Sequence, residues 1–171
     1  MQLASYETAS EMMQSLSAQI ASELSAAIAL RGRACLAVPG GSTPGPLFDQ
    51  LSQAPLDWAN VTVMLTDERW VPTDSPRSNT GLIKNRLLVN AASAARYIAL
   101  YAPGLDHVGG ARVLSQQVAP NLPVDVLVLG MGTDMHTASL FPGAPELSFA
   151  QSELADAVMP MVPVGSDLEP R

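Results

Sequence analysis

Three short apolar runs set the terms on which this chain can fold. They are Ala34-Cys35-Leu36-Ala37-Val38, Val61-Thr62-Val63-Met64-Leu65 and Val124-Asp125-Val126-Leu127-Val128-Leu129, and each breaks off into a polar or glycine-rich turn. Runs of this length that are apolar at successive positions suit strands buried on both faces, as in a parallel sheet. Helix-period segments separate them. Residues 8–31 place Met12, Leu16, Ile20, Leu24 and Ile28 at every fourth position, with Gly32 as the stop. A second helix is expected to open near Pro44 and run through Leu47, Phe48 and Leu51. Ser78 can cap a third through Leu82, Ile83, Leu87 and Leu88, and a fourth fits residues 110–118. Strands alternating with helices predict one α/β domain over residues 1–171, a doubly wound, mostly parallel sheet with helices on both faces.

Composition narrows the function. Of 171 residues, 47% are hydrophobic and 15% charged, which suits a large apolar interior. Sixteen acidic residues against nine basic ones give a net charge of -7, and no basic stripe of the kind that binds nucleic acid is visible. An anionic small molecule remains compatible, because local donors decide its binding. Cys35 is the sole cysteine, so an intrachain disulfide is excluded, and its place in an apolar run marks it as a buried thiol. No apolar run approaches the ~20 residues of a membrane span. Residues 1–11 lack the basic segment of a signal peptide. The expectation is a soluble cytoplasmic protein. The chain ends just after a strand-like run, residues 158–164, with nothing to follow it, so a fragment of a longer protein is expected.

Chemistry gathers where the strands end, the edge at which open α/β sheets bind ligands. After the first strand, Gly40-Gly41-Ser42-Thr43-Pro44 frees backbone N–H groups and adds two hydroxyls ahead of a helix, which is either a phosphate cradle or an ordinary tight turn. After the second, Thr66-Asp67-Glu68-Arg69-Trp70 brings two acids and an arginine together. Arg69 could meet an anion and Asp67 a sugar hydroxyl; alternatively, an acid–arginine pair fixes the loop. After the last, residues 130–143 carry Asp134 and His136 in a glycine turn, which suits a base and its orienting carboxylate. His107, in a glycine-rich loop beside Asp106, reads as a surface residue. Two distant histidines and one cysteine give no metal-ligand spacing, and there is no Gly-x-Ser-x-Gly elbow.

Taken in order, Val38-Pro39-Gly40-Gly41-Ser42-Thr43-Pro44, then Thr66-Asp67-Glu68-Arg69-Trp70-Val71-Pro72 with Ser78-Asn79, and then residues 130–143, resemble the 6-phosphogluconolactonase family over most of the chain. The most specific stretch is Asp134-x-His136-Thr137-Ala138-Ser139-Leu140-Phe141-Pro142. The resemblance implies a Rossmann-like fold shared with glucosamine-6-phosphate deaminases and ribose-5-phosphate isomerases. It also implies hydrolysis of 6-phospho-D-glucono-1,5-lactone without metal or organic cofactor. His136 would be the base that activates water, oriented by Asp134. Gly40, Gly41, Ser42 and Thr43 would hold the 6-phosphate, and Arg69 would face the substrate. Arg171 matches an arginine that helps bind the phosphate, and a family lysine lies beyond the point matched by Arg171. Met135 stands where the family usually has glycine.

Two other functions remain open on sequence. An amino-sugar-phosphate isomerase or deaminase would need a base at C2, for which Asp67 could serve, but the deaminase pattern has tyrosine at the place of Arg69 and lacks Thr137-Ala138-Ser139-Leu140-Phe141-Pro142. A non-catalytic sugar-phosphate sensor would keep the cradle without the chemistry. Either a monomer or a homodimer fits.

Overall fold

A computed structural model describes residues 2–132, 135–164 and 169–171. The first helix, α1 (Ala9–Arg31), is bounded by two local devices. The Thr8 hydroxyl accepts the Glu11 N–H at 3.2 Å, and Gly32 takes a left-handed φ of 71° and returns its N–H to Ile28 O at 2.7 Å. Its buried side chains are Met13, Ser17, Ile20, Leu24 and Ala27 rather than a strict every-fourth series. Four helical residues turn ~400°, so the series through Met12 and Leu16 drifts off the face that packs. Met12 is accordingly exposed.

The sheet is parallel throughout the described residues, in the order β3-β2-β1-β4. Its strands are β1 (Ala34–Val38), β2 (Val61–Leu65), β3 (Arg96–Ile98) and β4 (Val126–Leu127). All of β1 is buried, as a central parallel strand must be. The strand expected over residues 124–129 is shorter as β4, although bonds from Asp125 N to Cys35 O and Val128 N to Ala37 O extend its pairing with β1. Asp125 interrupts the apolar run because its carboxylate pairs with Arg31 and accepts the Cys35 N–H at 2.8 Å, tying β4 to α1 and β1. Burial raises the Cys35 thiol above its ordinary range, in keeping with a packing role. The run over residues 158–164 forms no strand; Pro160 and Pro163 remove two donors, and Met161 alone exchanges backbone bonds with Arg171, at 3.0 and 2.8 Å.

Both sheet faces are covered. Leu36, Val38, Val61, Val63, Leu65 and Val126 pack against α1, α2 (Gly45–Leu51) and α3 (Asn79–Leu82), the last extended by a π-helical turn over Ile83–Leu87. Cys35, Ala37, Met64 and Ile98 face the other way, against Val118 of α4 (His107–Val118). This alternation within each strand makes the sheet doubly wound. A short α5 (Leu147–Ala150) follows the loop beyond β4. Because the chain steps outward from β1 to β3 and then returns to the far side of β1, the loops after β1 and β4 leave neighbouring strands at the point where the order reverses. Crevices in α/β folds form there.

Candidate active site

The loop after β1 carries Gly40, Gly41, Ser42 and Thr43 at or near the surface, and Gly41 takes a φ of 84° that favours glycine. The helix α2 starts at Gly45, so Pro44 occupies its cap position and Pro46 its first turn, one step later than the sequence suggested. Gly40 has a different requirement. A Cβ there would overlap the side-chain amide of Asn79, which lies against the glycine.

The loop after β2 separates its two acids. Glu68 is buried, and its carboxylate takes five hydrogen bonds. Oε1 accepts the N–H groups of Arg69 and Asn79, each at 2.8 Å. Oε2 accepts the Ser78 hydroxyl at 2.7 Å and the Thr80 N–H and hydroxyl at 3.0 Å each. It therefore caps α3 and binds that helix to the β2 loop. Asp67 is only half-buried, and Oδ2 accepts the Ser139 hydroxyl at 2.6 Å. Arg69 donates from Nη1 to Arg77 O at 2.8 Å and to Asn79 Oδ1 at 2.9 Å. No acid–arginine pair involving Arg69 forms among the described residues; the structural acid of this loop is Glu68.

The loop after β4 turns back on itself. The Gly132 N–H donates to His136 O at 2.9 Å, and the Met135 N–H to Gly132 O at 3.0 Å. Met135 has a φ of 68°, in the left-handed region that favours glycine. Asp134, the expected orienting carboxylate, lies outside the described residues. The His136 ring packs against Phe141 with centroids 5.0 Å apart, and the Arg171 guanidinium lies 5.9 Å from the centre of the same Phe141 ring.

Thr66, Asp67, Ser139 and Arg171 line a cavity of about 390 Å³ that continues over the apolar side chains beneath α4. Of the residues expected at the site, Asp67 and Arg171 face this cavity; His136, Gly40, Gly41, Ser42, Thr43 and Arg69 stand outside its lining, although the four residues that follow His136 are part of it. The sequence marked His107 as a surface residue, and the structure places it otherwise. It opens α4, is half-buried and lines the cavity. Arg171 is pulled below the usual guanidinium value by burial and next by the charge of Arg69, while Asp67 and Glu169 act the other way. Its Nε is buried without a hydrogen-bond partner among the described residues. Sequence reasoning did not assign site roles to Asn79, Ser139 or Phe141. Asn79 and Phe141 stand inside the matched motifs, yet their partners are loop residues that only the fold brings near. No cluster of metal-ligating side chains occurs among the described residues.

The family model of glucosamine-6-phosphate isomerases/6-phosphogluconolactonase matches residues 7–168. This chain belongs to that family. A 6-phosphogluconolactonase of Pseudomonas putida is 48% identical over 133 residues, covering 77% of this chain and 54% of the relative. One from Mesorhizobium japonicum is 46% identical, covering 91% of this chain and 66% of its own. The crystal structure of a 6-phosphogluconolactonase from Shewanella baltica OS155 superposes with a TM-score of 0.91 at 39% identity, covering 96% of this chain and 71% of that one. The chain thus spans 54% to 66% of the length of these two curated family members. The family fold is the parallel, doubly wound one expected from the sequence, and no described helix is long and apolar enough to cross a membrane.

Proposed function

We propose that this chain hydrolyses 6-phospho-D-glucono-1,5-lactone to 6-phospho-D-gluconate in the pentose phosphate pathway. Curated relatives of that name, 45% to 48% identical, support the reading. Arg171 carries the reading: it is half-buried, its Nε has no hydrogen-bond partner among the described residues, and the charge of Arg69 acts on it. Two guanidinium groups whose charges act on each other would favour an anion between them, and a sugar phosphate supplies one. Gly40, Gly41, Ser42 and Thr43, in the loop after β1, would add backbone and hydroxyl donors to the phosphate.

Phe141 stands between the two groups: its ring centre is 5.0 Å from that of the His136 imidazole and 5.9 Å from the Arg171 guanidinium. A phosphate held by the arginine would leave the lactone ring extending toward His136. His136, oriented by Asp134, takes a proton from water as the oxygen attacks C1. Arg69, or backbone N–H groups of the glycine turns other than those of Gly132 and Met135, would stabilise the oxyanion. The intermediate collapses with cleavage of the bond from C1 to the ring oxygen, and His136 returns the proton to that oxygen. Asp67, fixed by Ser139, orients sugar hydroxyls. The protein would act in the cytoplasm as a monomer or homodimer, on a small anionic substrate, without nucleic acid, metal or organic cofactor.

Hydrolysis of freshly generated lactone, corrected for spontaneous opening, tests this directly. The parent should turn over, and His136→Ala should lose about 10²–10⁴-fold in kcat while still binding 6-phosphogluconate. Unchanged turnover in His136→Ala would remove the assigned base. Release of ammonia from glucosamine 6-phosphate would instead favour a deaminase.

A further inference from the structure

We propose that Asn79 is the positioning residue for Arg69, acting through a single side-chain amide lodged between the β1 and β2 loops. The inference rests on the reading of Arg69 as a substrate contact. Asn79 is only 7% exposed, and its backbone N–H is held by the Glu68 carboxylate at 2.8 Å. Its Nδ2 donates to Asp67 O at 3.2 Å, and its Oδ1 accepts from Arg69 Nη1 at 2.9 Å. The two bonds fix which way the amide points, because a flip would set donor against donor and acceptor against acceptor. The third neighbour is Gly40, where the absence of a Cβ is what admits the amide.

The geometry has a chemical result. Nη1 of a guanidinium carries two hydrogens, and Arg77 O and Asn79 Oδ1 account for both. Arg69 is then held at one nitrogen and presents Nε and Nη2 to an anion. A long side chain that must otherwise be ordered by its ligand is ordered beforehand, which favours binding. Asn79 touches no reacting atom in this account; its effect passes through Arg69. The second glycine-loop role follows as well: Gly40 is required for the seat of Asn79 and, through it, for the aim of Arg69.

The test is a double-mutant cycle on the full chain, measuring KM and kcat for the lactone and Kd for 6-phosphogluconate. Asn79→Ala should raise KM and Kd roughly tenfold and leave kcat within about threefold, the pattern of lost ground-state positioning. In an Arg69→Ala background the same change should add less than about twofold. Gly40→Ala reaches the contact from the other side and keeps the test standing where Asn79→Ala folds poorly. It should reproduce the rise in KM and cost little more once Asn79 is already alanine. Equal losses from Asn79→Ala with and without Arg69 would overturn the proposal, as would a silent Gly40→Ala. If Arg69→Ala itself leaves KM and Kd unchanged, the substrate-contact reading fails and takes this inference with it. If Arg69→Ala is impaired while Asn79 acts independently, only the inference fails.

Discussion

Replacing Glu68 with glutamine isolates the bond network that joins the β2 loop to α3. The carboxylate takes five donors, and all five belong to residues 69–80. A glutamine can set its oxygen where Oε1 was, keeping the Arg69 and Asn79 N–H groups. Its amino group then meets the Ser78 and Thr80 hydroxyls, which can rotate to accept, and the Thr80 N–H, which cannot. Four bonds fall from charge-assisted to neutral, roughly 1 kcal/mol each, and the opposed donor adds about 1–3 kcal/mol. Burying an amide instead of a carboxylate returns several kcal/mol of that. The net expectation for Glu68→Gln is a loss of about 2–3 kcal/mol, or roughly 5–10 °C in Tm for a chain of this size. Glu68→Ala, which removes the acceptor of two backbone N–H groups as well, should lose about 4–5 kcal/mol. Urea and thermal denaturation of parent and variants measure both. A Glu68→Gln protein as stable as the parent, or more so, would refute the reasoning, because desolvation would then outweigh the five bonds.

Three further expectations rest on other parts of the structure. Met135→Gly should stabilise the protein by about 0.5–1 kcal/mol, since the left-handed strain it relieves exceeds the added chain entropy and the lost side chain is exposed; an unchanged or lower urea midpoint would count against this. Burial pushes the Tyr97 hydroxyl up to about 12, with the Glu68 charge adding to it and the Thr80 bond opposing. Between about 10 and 12 the unfolded chain has released a proton that the folded chain retains, so stability should fall by roughly 2–3 kcal/mol across that window, and Tyr97→Phe should flatten the decline seen in urea melts. Gly110→Ala should destabilise by about 2 kcal/mol despite alanine's better helix propensity, because its Cβ overlaps the Trp70 ring, itself packed on Tyr101 and bonded to Leu105 O; a raised Tm would contradict that packing.

Much of the architecture was legible because local signals and packing agree. Thr8, Gly32 and Ser78 do what their positions announce, and the runs at 34–38 and 61–65 became β1 and β2 at the stated bounds. β3 was not read, since Arg96-Tyr97-Ile98 is too short to show a period and owes its conformation to β2. α4 begins three residues before the expected start because Asp106 caps it, its carboxylate taking the Gly109 N–H at 2.7 Å, so His107, Val108 and Gly109 lie inside the helix rather than before it. At the site, the loops that carry Asp67, Arg69 and His136 followed from where the apolar runs stop. The side chains that aim them did not. The bond from Ser139 to Asp67 spans 72 residues, and the contact of Phe141 with Arg171 requires the chain to return from α5. Periodicity records which face is buried, not which distant loop arrives there.

The order of the strands also has a temporal meaning. The pairing of β1 with β2 joins Leu36 to Val63, whereas β1 meets β4 only by joining Leu36 to Val126, with the intervening helices already to be accommodated. Closing the longer loop costs more entropy for fewer paired residues, and contacts of high sequence separation form late. Gly40, Asp67, Arg69 and Asn79 therefore belong to the part of the chain that can assemble first, and the loop bearing His136 to the part that docks afterward. Recovery of the proposed lactone hydrolysis during refolding would then report the arrival of β4, and would lag any probe placed in the interface between α1, α2 and the first two strands.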